Sequence, residues 1–227
     1  MKKLLFWMVL IVGIVALIGS CAKKKDEDTA ATAAAANTTS TDNTTSTTSY
    51  ISTTTTASGS ITMGDDTLSG VYASECLTSA STIAFFKATG FWASEVNAYG
   101  QVFVVTGSDN ISIELYAFTD TSCSNLSQCQ KTVSDNVTFG SASGSNYPVT
   151  YNNQTQALTV HTTAAETALE TLYSNALDVI EGTPIELPVS GSGLKYGLWT
   201  LSGTTWYEAS SSSATPTSAG TVPHVKQ

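Results

Sequence analysis

From residue 61 to residue 210 short apolar stretches alternate with clusters of Gly, Asn, Asp and Ser, the rhythm of strands and turns in an all-β domain. Strand composition marks residues 81–87, 101–106, 110–118, 136–139, 148–151, 157–160, 195–201 and 205–208. Within 110–118, Ile111, Ile113, Leu115 and Ala117 alternate with Ser112 and Glu114, which predicts a strand with one buried and one solvated face. Gly107-Ser108-Asp109-Asn110 predicts the hairpin turn before it, and Gly203 predicts another between the last two strands. One stretch follows a helical period instead. Thr163-Ala164-Ala165-Glu166 has capping-box spacing, in which a hydroxyl and a carboxylate satisfy the bare N–H groups of a helix start. Ala165, Leu169, Leu172, Tyr173, Ala176 and Ile180 then form an apolar stripe that ends at Gly182 and Pro184. Acids rather than lysines line its polar face, so it is expected to pack across a sheet or barrel mouth, not to enter anionic lipid. The predicted fold is mainly β, an antiparallel β-barrel or sandwich with one inserted amphipathic helix, and its size suits a single core.

The chain ahead of this domain has a different pattern. Lys2 and Lys3 precede an uncharged stretch from Leu4 to Gly19 rich in Leu, Ile and Val, the layout of an exported signal peptide over residues 1–20. Ile18-Gly19-Ser20-Cys21 resembles the lipobox of bacterial lipoproteins: an apolar residue, two small residues and a cysteine. Ser20 departs from the Gly or Ala of enterobacterial lipoboxes and matches the looser form of spirochaete lipoproteins. The resemblance implies that Cys21 becomes the lipidated first residue and that acyl chains such as palmitate hold the protein to the outer membrane or cell surface. Each buried methylene contributes about 0.8 kcal/mol, so two or three chains would anchor firmly. Residues 21–60 are Ala, Thr, Ser and Asn with almost no large apolar side chain, which predicts a disordered tether with a reach of about 35 Å. Residues 211–227 are expected to be a polar C-terminal tail.

Charge narrows the function. The net charge is −9 and every basic residue is Lys. Beyond the tether only Lys87, Lys131, Lys195 and Lys226 remain, and with no Lys cluster there and no bidentate Arg, nucleic acid is excluded as a partner. Cysteine count adds a constraint, because an oxidising compartment pairs thiols. With Cys21 given to lipid, Cys76, Cys123 and Cys129 leave one disulfide and one leftover. Spacing does not separate the pairings. Loop closure favours Cys76 to Cys123, at about 4 kcal/mol, over Cys123 to Cys129, at about 2.5 kcal/mol.

Leu68-Ser69-Gly70-Val71-Tyr72 through Cys76, with Tyr116-Ala117-Phe118-Thr119-Asp120 through Cys123, resembles small bacterial lipocalin-like domains. Tyr72 stands where those domains usually have Trp, and the helix at Thr163 comes earlier than theirs. The resemblance implies an antiparallel barrel whose first strand is tied to a later one by a disulfide. More generally the N-terminal half is similar to surface lipoproteins of leptospires and other spirochaetes.

Catalysis finds no support. His161 and His224 are the two histidines, and His224 falls in the tail expected to be disordered, so no metal triad or His-paired nucleophile assembles. Asp65-Asp66 reads as a solvated turn, and Gly140-Ser141-Ala142-Ser143-Gly144 has Ala where a nucleophile elbow needs Ser. No enzyme, metal or cofactor is expected. Most of the aromatic residues suit a core, with Phe91, Trp92 and Trp199 as candidate ligand contacts. Two functions follow: a lipid-anchored interaction or structural protein that meets host or envelope proteins, or a lipocalin-like carrier of a small apolar ligand.

Overall fold

The computed structural model describes residues 50–189 and 193–227. Cys21, the signal peptide and the first part of the tether lie outside the described residues. The strands are β1 (Ile61–Met63), β2 (Asp66–Leu68), β3 (Val71–Ala73), β4 (Ala98–Val105), β5 (Ile111–Phe118), β6 (Leu126–Phe139), β7 (Asn146–Val160), β8 (Ile185–Glu186), β9 (Leu194–Ser202), β10 (Thr205–Ser211) and β11 (Pro223–Lys226). The helices are α1 (Ala80–Ala88) and α2 (Thr163–Leu172).

Eight strands close an antiparallel barrel: β3, β4, β5, β6, β7, β9, β10 and β11 pair in chain order, and β11 returns to β3. A closed meander leaves no barrel edge unpaired, and the short β8 adds to one flank of β7. The predicted hairpins are present. Thr106 and Asn110 close the β4–β5 turn through a backbone hydrogen bond of 3.0 Å, and Gly203 turns β9 into β10 at φ 61°. Cys76 and Cys123 form a disulfide with Cα atoms 5.8 Å apart.

Both ends of the barrel are plugged. At one, the β1–β2 hairpin buries Ile61, Met63 and Leu68 against Tyr72, Phe103, Trp199 and Trp206. At the other, α1, α2 and the loop between α1 and β4 bury Phe86, Trp92, Val96, Ala165 and Leu169 over Tyr99, Leu115, Leu158 and Val160. A third apolar cluster lies on the outer wall, where Tyr50, Ile51 and Ala57 cover Val102, Val104, Tyr116 and Phe118.

Several elements differ from the sequence expectation. Residues 81–87 have strand composition yet form α1, because Ser79 caps the helix and Ile83 and Phe86, three apart, meet the barrel mouth together. Two helices are therefore present among the described residues. In α2 the cap is Thr162, one residue before the capping-box Thr163. The helix stops at Tyr173, where Ser174 and Asn175 take positive φ, so Ile180 is exposed rather than on a buried stripe. Segments 136–139, 148–151 and 157–160 belong to two long strands. Residues 50–60, expected within a disordered tether, pack as an extended strap: Ile51 N–H donates to Ser74 O and Ser58 N–H to Val105 O. That strap buries the face of β5 expected to be solvated, leaving Ser112 and Glu114 1% exposed. The expected polar tail holds β11, the strand that closes the barrel, and His224 within it is 1% exposed. No cysteine is free among the described residues, so the expected leftover thiol is absent there.

Candidate functional site

Strand alternation decides which side chains enter the barrel. On β6 the inward positions are Gln128, Gln130, Thr132 and Ser134, the reverse of an apolar-in pattern, and none is more than 1% exposed. They face Ile111, Ile113, Leu115 and Ala117 across the β5 register on one side, and Leu158 and Val160 of β7 on the other. Register and ring contacts place Gln101, Lys195, Trp199, Trp206, Glu208 and His224 on the inner face as well. Polar side chains from β4, β6, β9, β10 and β11 therefore interrupt the apolar interior between the two plugs.

Part of this polar set is satisfied internally. Gln128 Nε2 donates to Phe91 O at 3.1 Å, and Ser134 Oγ donates to Asn153 Oδ1 at 3.0 Å. The His224 ring sits between the Trp206 carbonyl and the Gln101 side-chain amide, at 3.3 Å from each. Burial pushes its pKa down to about 4, so the ring is neutral at pH 7. The rest is unsatisfied. Gln130 Nε2 and Oε1, Thr132 Oγ1, Trp199 Nε1, Trp206 Nε1 and Glu208 Oε1 are all buried without a hydrogen-bond partner. Each such atom costs about 1–3 kcal/mol, so a group of them in one lumen calls for water or a bound molecule.

Glu208 is the electrostatic centre. It lies opposite Trp199 in the β9–β10 register and two residues from Trp206, so its carboxyl and both indoles share one face. Trp199 and Trp206 meet edge to face at 4.6 Å, flanked by Tyr151 at 5.8 Å from Trp199 and Phe103 at 4.5 Å from Trp206. Burial raises the Glu208 carboxyl to about 7, against a hydrogen bond from Ser210 that favours the charged form. Tyr151 is pushed up by burial and by the nearby Glu208 charge.

The other buried carboxylate is already occupied. Glu114, on the outer wall, accepts from Thr53, Thr55, Tyr116 and Ser112, and Lys131 Nζ lies 3.5 Å from it. Its partners come from the strap, from β5 itself and from Lys131 on β6, which makes it a structural clasp. Asp65 and Asp66 are exposed at the β1–β2 turn. No group of metal-ligating side chains is present among the described residues.

No protein-family model and no curated protein matches this chain.

The three aromatic contacts flagged in the sequence do not converge. Phe91 and Trp92 are 3% and 2% exposed and belong to the helical plug, where Trp92 stacks on Phe86 at 4.2 Å and borders a surface hollow of about 510 Å³. Trp199 belongs to the opposite cluster. The residues that carry the unsatisfied atoms include Gln130, Thr132, Trp206 and Glu208, none singled out by sequence reasoning as a site. The signal was there in Gln128-x-Gln130-x-Thr132-x-Ser134, an alternation with its polar face turned inward.

Proposed function

We propose that this chain is a membrane-tethered carrier that holds a small molecule inside its barrel. One observation carries this reading: Gln130, Thr132, Trp199, Trp206 and Glu208 bring unpartnered buried polar atoms to a common lumen. A barrel built only as a scaffold gains nothing from desolvated groups it does not pair, whereas a binding site needs a few polar groups among apolar walls. The polar set changes the ligand expected from sequence. A wholly apolar guest would leave these groups unmet, so the cargo carries hydrogen-bonding atoms as well as apolar surface.

The tether belongs to the same proposal. The lipobox-like Ile18-Gly19-Ser20-Cys21 supports export and acylation at Cys21, with the barrel held at the outer membrane or cell surface. Native mass spectrometry of the full chain, released gently from detergent, tests the carrier reading. A reproducible co-purified small-molecule mass, lost on denaturation, is expected. A barrel that carries no small molecule from cells and is stabilised by none in a metabolite screen would overturn it.

A further inference from the structure

Resting on the carrier reading, we infer that the barrel interior selects a small organic cation, a protonated amine seated on Glu208 beside the contacting Trp199 and Trp206 indoles. Glu208 is the one carboxylate at an inward position of the barrel strands among the described residues. Its Oε1 is buried and has no donor. Apart from Ser210, which hydrogen-bonds the carboxyl, the groups around it are aromatic: the two indoles share its face, and Tyr151 lies beyond Trp199. A carboxylate set among aromatic faces attracts a cation twice, by charge and by the negative ring quadrupole, and both attractions strengthen where water is excluded.

An anionic guest meets the opposite conditions, since it would approach Glu208 and the ring faces with like charge. Lys195 does not reverse this. It lies opposite Tyr151 in the β7–β9 register, toward the helical end from Trp199, and burial holds its pKa below the usual lysine range, which favours the uncharged amine. The remaining unmet atoms define the other end of the guest. Trp199 Nε1 and Trp206 Nε1 are donors only, and Gln130 and Thr132 can donate as well, so the amine also bears a neutral acceptor such as a hydroxyl or ether oxygen.

Paired probes on the full-length chain in detergent at pH 8 test this. Ethanolamine and 2-phenylethylamine are titrated beside their uncharged counterparts, ethylene glycol and 2-phenylethanol, with calorimetry and indole fluorescence as readouts. Saturable binding of at least one amine, tenfold or more above its neutral partner, is expected, and Glu208→Gln should abolish that preference. Equal binding of amine and alcohol, or a preference untouched by Glu208→Gln, would overturn the cation assignment while leaving the carrier reading standing. Failure of both amines to bind would overturn it too, and the co-purified mass would then judge the carrier reading by itself. The comparison of amine with alcohol needs no variant, so it decides the matter even if Glu208→Gln fails to fold.

Discussion

Two buried groups on the inner face of the barrel should oppose one another as pH changes, and removing one should expose the other. Glu208 moves from an ordinary 4.5 to about 7 on folding, and His224 from 6.5 to about 4. At about 1.4 kcal/mol per tenfold change in proton affinity, each shift is worth about 3 kcal/mol. Between pH 4.5 and 7 the folded chain holds a proton on Glu208 that the unfolded chain has released, so this group makes stability fall as pH rises. Between pH 4 and 6.5 the unfolded chain holds a proton that buried His224 refuses, so this group makes stability rise with pH. Over the shared window the two slopes cancel. Wild type should therefore change little between pH 4.5 and 6.5 on account of this pair. Glu208→Gln should gain about 3 kcal/mol between pH 4 and 6.5, then level off, and exceed wild type by up to about 3 kcal/mol at pH 8. Urea unfolding at half-unit pH steps, followed by circular dichroism, measures both profiles, and other titrating groups drop out of the difference. Parallel profiles for the two proteins from pH 4 to 8 would refute the assignment of Glu208 as a desolvated acid.

Three other outcomes follow from the packing. Breaking the 47-residue loop with a Cys76→Ser, Cys123→Ser pair should lower unfolding free energy by about 4 kcal/mol, seen as a lower urea midpoint than wild type without reductant. Glu114→Ala should cost about 3–5 kcal/mol by leaving Lys131 buried without its partner, and limited proteolysis should then cut within residues 50–60 before the barrel. Gly100→Ala should displace Ile51, since an added Cβ would lie 2.2 Å from Ile51 Cγ1; losing that burial costs about 1.5–3 kcal/mol and would show as strap cleavage ahead of thermal unfolding.

Where local chemistry and tertiary demand agree, the fold is legible from residues alone. The β4–β5 and β9–β10 hairpins are such cases, with turn residues and strand composition pointing the same way. The misreadings share a cause, which is that distant parts of the chain decide burial. Ile83, Phe85 and Phe86 favour a strand by type, but only a helix presents Ile83 and Phe86 together to the mouth. The first half of β6 has no apolar inward face to reveal it, because its inward residues are polar. β11 is four residues after a Ser-rich stretch, and it exists because β3 and β10 both lack a neighbour without it. The strap has a tether's composition, yet Ile51 finds a seat where Gly100 has no side chain. The candidate site was hidden for the same reason. Trp199 could be flagged by type, but the convergence of Glu208, Thr132 and Gln130 depends on closing eight strands into a ring.

The strap also governs how mechanical load would reach the barrel. Tension applied to the chain ahead of Tyr50 meets Glu75, its bridge partner, one residue before Cys76. Force taken up there passes through a covalent link into the loop after β5, so a pull from that side is spread over two parts of the wall before it can peel β3 away.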